Sequence, residues 1–572
     1  MNIITKKPFP VLLIILILIG GFLRIFPIEY SAMRMYDNQL VGEALDLGDG
    51  IFKGDFSVLE QPVKYPYFFS YILLFFYGIF FIFGKLVGLF SSGKEFTAYI
   101  FLHINSFYDF ARILVGIAGT ALIPLTYFLT KKIVSHKDKS KAKIAGILAS
   151  FLMTFNLLHI HFSHQERAHI WVSFLMFLTF YFFILCLEKK RLVDFLLLGF
   201  GAGAVSGSLQ VGVFSLVFFL LLLIFSKFKY LASFKFWAGV LVFIAIVVLC
   251  YPFLLLAFNK IMAFWNENFH SSITGEGKTG ISLFIFTTLK QIFVYQSTLI
   301  IVFVGFLVLW ILFRNKKKTD FSPLFKRSIL GAAMFIIVYF LAFGFVLRPY
   351  SRMLSPIMPF LCLLSGIMFI EIYYSIKIIQ WKRVFIGLLG LLLAFSIIQP
   401  VRFSYLMFKP ETRDIAKAWI EENISKEDFI ALGDDFMRFA LSKKSLQMQS
   451  EIDPKSLSRK DKFLFESEDE FYSKETRNIL NYWAVKSGDN QYQILKENKI
   501  KYFVAFGPTL TSVIEDSLEK DIIANGGKLL EMVSPFREGE SGYCDFPREF
   551  VNPIIDLWSI KNLGQVIKIY KL

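Results

Sequence analysis

Apolar stretches long enough to cross a lipid bilayer recur through the first 400 or so residues of this 572-residue chain. A spanning helix needs about 20 mostly apolar residues, and the first run (8–28, PFPVLLIILILIGGFLRIFPI) has that length. No small-residue cleavage site follows it, so we interpret it as a retained span rather than a signal peptide. Eleven further apolar segments lie near 66–90, 109–130, 144–161, 168–187, 192–208, 209–226, 236–257, 284–313, 328–347, 353–375 and 384–402.

The composition changes to mixed charge and polarity from about residue 409 to Leu572. The sequence therefore predicts an α-helical polytopic membrane domain over 1–408 and a soluble domain over 409–572, which is a normal size for one domain. A helix-then-strand pattern occurs at 411–433 and again at 490–506. A further helix and two strand-like segments follow, so this second domain is predicted to be of the α/β class.

The net charge of +16 is concentrated in short loops between apolar segments, such as the six lysines of 131–143. Excess Lys and Arg in such loops marks the cytoplasmic side of a membrane protein, so we predict no nucleic-acid partner. The prediction is a multi-pass protein of the cell membrane with a cytoplasmic N-terminus and an extracytoplasmic tail. The loops 29–64, 159–169, 258–282 and 347–353 then also lie outside.

The number of crossings is not settled by this charge rule. Residue 64 lies outside and residue 131 inside, so an odd number of crossings must separate them, yet only two apolar segments do. Either the segment 66–90 does not fully cross, or a weak span lies within 94–110 (KEFTAYIFLHINSFYDF). Eleven or 13 helices would satisfy the rule.

Four polar groups are brought to the outer face by this topology. The first loop carries Asp37, Asn38 and Lys64, and its LVGEALDLGDGIF has the apolar spacing of a surface helix. The acids Glu43, Asp46 and Asp49 have the simpler interpretation of keeping an external loop soluble. The third group, VLRPYSRMLSPIMPF (346–360), contains Arg348 and Arg352; these either bind phosphate oxygens or extend to lipid headgroups.

The second group, NLLHIHFSHQERAHIW (156–171), holds four of the seven histidines of the chain. Their spacing matches no standard zinc pattern, so we predict no metal site and interpret Glu166 and Arg167 as a polar rim.

The fourth group, the loop 259–280, either closes over a site or is a plain connector. The segment GFGAGAVSG (199–207) is interpreted as close helix packing rather than a nucleotide loop. The four cysteines show no disulfide or metal-ligand spacing.

Several of these motifs, in this order, resemble the GT-C superfamily of integral membrane glycosyltransferases, in the branch of protein O-mannosyltransferases and lipid A aminoarabinose transferases. They are MYDNQLVGEALDLGDGIFKGDF, VKYPYFFSYILLFFYGIFFIFG, FARILVGIAGTALIPLTYFLTKKIV, RPYSRMLSPIMPFL, TRDIAKAWIEENI and GQVIKIYKL. The resemblance implies a GT-C-like membrane domain and the transfer of a sugar from a polyprenyl-phosphate donor to a hydroxyl of a glycan, lipid or protein acceptor.

The resemblance also implies roles for particular residues. Asp37 matches the general base that takes the proton of the acceptor, and Arg352, with Arg348 and Lys64, matches the groups that bind the donor phosphate. No cofactor is required, and the residues do not indicate a divalent metal. Membrane lipids are the remaining partners. Candidate substrate contacts are Asn38, Tyr65, His164, Glu166, Arg167 and His169.

The chain departs from this family at two places. Asn38 stands where relatives commonly carry the second acid of an Asp-Glu pair, and the acid that relatives carry near His169 is matched only by Glu166. Two alternatives to an enzyme therefore remain: an inactive GT-C-like scaffold and a polytopic transporter. A transporter would show internal repeats and ionisable residues near the bilayer midplane.

Overall fold

The structure is a computed structural model of the chain. It describes residues 8–28, 38–60, 65–257, 322–344, 351–433, 437, 439–453, 457–466, 476–481, 491–511, 516–542, 544 and 556–572. The chain divides into two compact units. The first comprises 1–28, 37–82 and 108–401, and the second comprises 29–36, 83–107 and 402–572. The domain boundary at 408/409 stays a prediction.

The N-terminal 407 residues are helical wherever they form regular structure in the described part of the chain. The helices are α1 (Pro8–Ile25), α2 (Asn38–Lys53), α3 (Phe68–Leu86), α4 (Gly93–Leu102), α5 (Ile104–Ser135), α6 (Lys139–Thr154), α7 (Leu157–Ser163), α8 (Ala168–Glu188), α9 (Leu192–Ser206), α10 (Leu216–Phe225), α11 (Phe234–Cys250), α12 (Phe253–Leu256), α13 (Pro323–Gly344), α14 (Met358–Ser375) and α15 (Ile379–Met407). Short 3₁₀ helices occur at Phe56–Glu60, Gln210–Ser215, Lys229–Ala232 and Ser351–Ile357.

Six of these helices are long and apolar enough to cross a membrane, and the bent pair α6 and α7 would make a seventh span. Four shorter apolar helices accompany them, at Phe9–Ile25, Leu192–Ser206, Gln210–Phe225 and Phe234–Cys250. The predicted apolar segments coincide with helices wherever the structure describes them, whereas 284–313 lies outside the described residues. The predominantly helical class of this region is therefore confirmed, whereas its polytopic arrangement and the count of 11 to 13 crossings stay predictions.

The helix predicted within residues 29–64 is present as α2. The predicted weak span at 94–110 is instead divided, because α4 ends at Leu102 and α5 begins at Ile104. Ten residues of α-helix rise only about 15 Å, half of the hydrocarbon core. The ring of Phe101 in α4 packs on Phe463, with ring centroids 5.1 Å apart, so α4 contacts the C-terminal region.

Glycines allow α9 and α11 to approach closely. A Cβ atom built on Gly199 would lie 2.0 Å from the carbonyl oxygen of Gly239. Four and eight residues further along, a Cβ atom on Gly203 would lie 2.7 Å from Ile246 Cβ and one on Gly207 would lie 2.5 Å from Cys250 Sγ. The prediction of close helix packing for 199–207 is confirmed.

The C-terminal region forms a small α/β fold. Its helices are α16 (Thr412–Asn423), α17 (Lys443–Ile452), α18 (Arg459–Glu466), α19 (Gln491–Glu497), α20 (Asp516–Ala524) and α21 (Asp556–Ser559). Its strands are β1 (Ile430–Leu432), β2 (Ala440–Leu441), β3 (Thr476–Arg477), β4 (Ile479–Asn481), β5 (Tyr502–Gly507), β6 (Lys528–Val533) and β7 (Val566–Lys571). The predicted helix-then-strand pairs 411–433 and 490–506 are confirmed.

The main sheet has the order β4-β1-β5-β7-β6, while β2 and β3 pair separately. Strand β1 runs parallel to β4 and β5, and β7 runs antiparallel to β5 and β6. Successive residues of β5 point to opposite faces. Phe503 packs in a cluster with Leu518 and Ile522 of α20, whereas Val504 packs in a cluster with Ala416 and Ile420 of α16. Helices therefore cover both faces of the sheet.

Candidate functional site

A fully buried arginine joins α1 to the bend between α6 and α7. Arg24 donates hydrogen bonds to the carbonyl oxygens of Met153 and Thr154, at the end of α6, and to Gly20 O. The last carbonyls of a helix have no partner within the helix, and α7 leaves the axis of α6 by 52°. Arg24 donates to two of the carbonyls at this bend and joins them to α1, so its role is structural. The sequence already marks Arg24 as unusual, because charged residues are rare inside an apolar run.

Three of the four histidines in 156–171 make structural contacts. His159 Nε2 lies 2.8 Å from Ser355 O, and His164 Nε2 lies 3.0 Å from Leu23 O. Because carbonyl oxygens only accept, both rings donate from Nε2. His161 Nε2 accepts from the Gln165 amide at 3.3 Å. No group of three or more His, Cys, Asp or Glu side chains suited to a metal ion occurs in the described part of the chain.

Glu166 faces an arginine from another helix. Arg112 of α5 lies with its Nε 3.9 Å from Glu166 Oε2 and also pairs with Asp109, one turn earlier in α5. All three side chains are largely buried, Glu166 at 1% and Arg112 at 5% exposure. Burying charge requires pairing, so Arg112 holds two carboxylates inside the protein. Neither Asp109 nor Arg112 is among the predicted site residues, although an Asp and an Arg three apart at the start of an apolar segment are a visible signal.

The fourth histidine lies at the start of α8 and is only 1% exposed. Among the residues that the structure describes, neither ring nitrogen of His169 has a hydrogen-bond partner. The charges of Arg352 and Arg167 act directly on its ring. The structure therefore brings together three predicted site residues, His169, Arg167 and Arg352, from two elements far apart in the sequence. We call them the His169 cluster.

Hydrogen bonds hold Arg352 beside α8. Ser355 Oγ lies 2.7 Å from Arg352 O and 3.4 Å from His169 O. The same serine accepts, through its carbonyl oxygen, the hydrogen bond from His159. The 3₁₀ helix Ser351–Ile357 is thus fixed to α7 and α8 by one residue, and Arg352 on it is fixed with them.

The His169 cluster is suited to an anion. Arg167 is the N-cap residue of α8, and the N-terminal turn of this 21-residue helix adds its positive partial charge to the two guanidinium groups. Arginine presents paired donors that match carboxylate or phosphate oxygens. A neutral histidine adds one further donor.

The other predicted site residues are placed as follows. Tyr65 is buried at 5% exposure, His164 is turned to α1, and Glu166 is turned to Arg112. Asn38 begins α2. The residues Asp37, Lys64 and Arg348 lie outside the described residues, so their assignments stay predictions.

No protein-family model and no curated protein sequence matches the chain. Solved structures to which the chain is similar include ArnT from Cupriavidus metallidurans bound to undecaprenyl phosphate, at 11% identity and a TM-score of 0.45, over 98% of this chain and 97% of that one. The oligosaccharyltransferase AglB from Archaeoglobus fulgidus, in complex with an inhibitory peptide and a dolichol-phosphate, matches at 14% identity and a TM-score of 0.42, over 96% and 76%.

The Archaeoglobus fulgidus oligosaccharyltransferase tethered with an acceptor peptide matches at 13% identity and a TM-score of 0.39, over 88% of this chain and 69% of that one. All three are GT-C enzymes, the superfamily that the sequence motifs resemble. Every TM-score is below 0.5, so these likenesses assign no role to any residue of this chain.

Proposed function

We propose that the chain is a membrane glycosyltransferase that moves a sugar from a polyprenyl-phosphate donor to an acceptor hydroxyl at the outer face of the membrane. The observation that carries the proposal is the His169 cluster. A buried histidine with two unmatched ring nitrogens in the described structure, beside Arg167 and Arg352, costs stability unless a ligand completes it. The two neighbouring guanidinium groups are positively charged and therefore favour an anionic ligand. For a membrane protein, the phosphate of a lipid is an anion available in the bilayer.

The reaction follows from charge. The oxygen of the acceptor forms a bond to the anomeric carbon, and the bond from that carbon to the phosphate oxygen breaks, with its electron pair leaving on the phosphate. Arg352 and Arg167 stabilise the charge that grows on the leaving group, and His169 donates a hydrogen bond to it. Arg348 and Lys64 are proposed to assist. The proton of the acceptor goes to the carboxylate of Asp37, the proposed base.

The proposed donor also fits a polytopic protein. A polyprenyl chain stays in the bilayer while its phosphate reaches the surface, so an enzyme for it needs lipid-facing helices and an anion site together. The lysine-rich segment 131–143, around the connection between α5 and α6, is proposed to be cytoplasmic and the C-terminal region to be extracytoplasmic. Labelling of single cysteines introduced at Lys139 and Asn525 with an impermeant reagent in intact cells tests this orientation, with only Asn525→Cys expected to react.

The test of function measures sugar transfer from a panel of radiolabelled polyprenyl-phosphate sugars by purified protein with native membrane acceptors. Wild type is compared with Asp37→Asn, Arg352→Gln and the exposed control Arg383→Gln. We expect turnover of one donor, lost in the first two variants and kept in the control. Turnover that survives both changes would remove the proposed site from the mechanism.

The two alternatives give different results in the same assay. Binding of a polyprenyl phosphate without turnover of any donor, beside an active control enzyme, would indicate an inactive scaffold, as Asn38 in place of an acid allows. Transport of a solute into vesicles without sugar transfer would indicate a transporter. The reaction as proposed uses no cofactor, so turnover is expected to persist in EDTA.

A further inference from the structure

The C-terminal end of α15 is attached to a segment more than 150 residues later in the chain. Arg402 donates from Nε to Leu557 O at 3.1 Å and from Nη2 to Ile560 O at 2.8 Å. These carbonyls lie within and just after the short helix α21. One arginine side chain therefore joins α21 to the end of a candidate membrane span.

Aromatic rings and cations collect at this junction. The guanidinium carbon of Arg402 lies 5.4 Å from the ring centroid of Tyr405 and 5.3 Å from that of Trp558, and Lys409 Nζ lies 4.9 Å from the Tyr405 ring. About half of the surface of Tyr405, Phe408 and Trp558 is exposed. We call these five residues the Arg402 cluster. Its composition is that of the aromatic belts at membrane interfaces.

The cluster continues an exposed apolar surface of α15. The exposed side chains Leu391, Phe395 and Ile398 of α15 recur at spacings of four and three residues, and the same spacing leads on to Arg402 and Tyr405. Residues at these spacings share one face of a helix. The face that holds the Arg402 cluster is thus the face that α15 turns outward along its apolar length.

The length of α15 places the cluster at the headgroup level. An exposed Trp381 stands at the other end of this helix beside Lys382 and Arg383, and it precedes Tyr405 by 24 residues. At about 1.5 Å per residue the two rings are about 36 Å apart along the axis. That distance spans a hydrocarbon core of about 30 Å with a ring in the interface on each side.

We propose that Trp558 inserts into the headgroup region of the leaflet on the tail side and anchors the C-terminal region to the membrane. Its partner is the lipid interface, because the cluster is continuous with the lipid-facing side of α15 and combines exposed rings with cations. The anchor does not depend on the proposed glycosyl transfer. It would hold the C-terminal region at the surface without a further span.

The test uses the full chain in lipid nanodiscs. The four native cysteines are buried, so a spin label on Trp558→Cys can be compared with labels on Tyr405→Cys and on the exposed Asn525→Cys. Collisions of the spin label with two relaxing reagents report its surroundings. Oxygen partitions into lipid, whereas a charged nickel chelate stays in water. We expect the Trp558 and Tyr405 labels to collide with oxygen several-fold more, relative to the chelate, than the Asn525 label.

Two outcomes would overturn the proposal: chelate access at position 558 equal to that at 525, or protection from both reagents, which would indicate burial against protein. A conservative variant guards against misfolding of the cysteine variant. Brominated lipids quench the fluorescence of tryptophans that lie near lipid. Trp558→Phe is expected to reduce the quenched fraction, and Trp381→Phe is expected to reduce it likewise at the other interface. Unchanged quenching in Trp558→Phe, with a loss in Trp381→Phe, would also contradict the anchor.

Discussion

Two buried polar clusters differ in whether the protein itself completes them. In the C-terminal region, the Glu519 carboxylate of α20 accepts hydrogen bonds from Lys568 Nζ at 2.8 Å and from the Tyr570 hydroxyl, both on β7. At the start of α8, His169 finds no partner for either ring nitrogen within the described structure. A completed network contributes to folding, whereas an incomplete one costs stability until a ligand arrives. The contrast separates a structural cluster from one that is proposed to bind a ligand.

The largest effect is expected when the completed cluster is broken. Glu519→Ala leaves Lys568 as a buried charge without its carboxylate, which typically costs about 3 to 5 kcal/mol of unfolding free energy. Hydrogen exchange of the β7 amides would report the loss locally. The control is Lys501→Ala, which removes the exposed ion pair with Asp428 and should cost at most about 1 kcal/mol.

Replacing both charges, as Glu519→Leu with Lys568→Met, should restore most of the lost stability, because no charge is then left unpaired. A double variant as unstable as Glu519→Ala would show that packing, rather than the buried charge, accounts for the loss.

The next effect concerns activity. Arg352→Gln removes a charge from the proposed phosphate site, so transfer should fall about 100- to 1,000-fold in kcat/KM, the usual result of losing one transition-state donor. Arg352→Lys should recover part of it, since a lysine keeps the charge without the paired donors. Thermal unfolding should stay close to wild type, because Arg352 is only partly buried. A large drop in unfolding temperature would place Arg352 among the structural residues instead.

A matched pair of histidine variants compares structural and binding roles directly. His159→Leu leaves Ser355 O without its donor, which should cost about 1 to 3 kcal/mol of stability. His169→Leu removes no hydrogen bond in the described structure and should leave stability unchanged or higher. It should weaken binding of undecaprenyl phosphate about 10-fold, by loss of one hydrogen bond to a charged group. Equal destabilisation by both variants would mean that His169 is structural.

The smallest effect is a pH dependence of the completed cluster. Burial, and then the hydrogen bond to Glu519, raise the pKa of Tyr570 above its ordinary value. The folded state therefore favours the neutral phenol. Its contribution is complete below the unfolded pKa of about 10 and is lost as the pH rises towards the folded value.

Unfolding measured from pH 7 to pH 11 should accordingly show a steeper alkaline loss in wild type than in Tyr570→Phe. At pH 7 the variant should lose about 1 kcal/mol, the usual net contribution of one hydrogen bond. Parallel pH profiles would show that the Tyr570 proton is not linked to folding.

Apolar length and periodicity predicted the fold well because they act locally. The boundaries of α8 and α9 fall within a few residues of the predicted segments 168–187 and 192–208. The strand β7 is the second of the two strand-like segments predicted after 490–506. The small residues at spacings of four in α9 also predicted a backbone contact correctly, because one helix face is visible in the sequence.

Pairings between distant elements could not be predicted in the same way. The contact of His164 with Leu23 joins residues 141 apart, and that of His159 with Ser355 joins residues 196 apart. A single sequence does not show how one apolar helix is rotated relative to another, and therefore which of their side chains are in contact. The four histidines therefore looked alike, although the rings of three form hydrogen bonds within the protein and the ring of His169 forms none in the described structure.

The contact between Gly199 and Gly239 has a consequence for how this sequence can change over time. Exposed apolar side chains such as Leu391 can be exchanged for other apolar residues at little cost. At Gly199, every possible replacement adds at least a Cβ atom that would lie 2.0 Å from a carbonyl oxygen, so no mutation there is conservative. Among divergent descendants of this gene, we expect Gly199 and Gly239 to persist after most of the exposed apolar positions around them have been substituted.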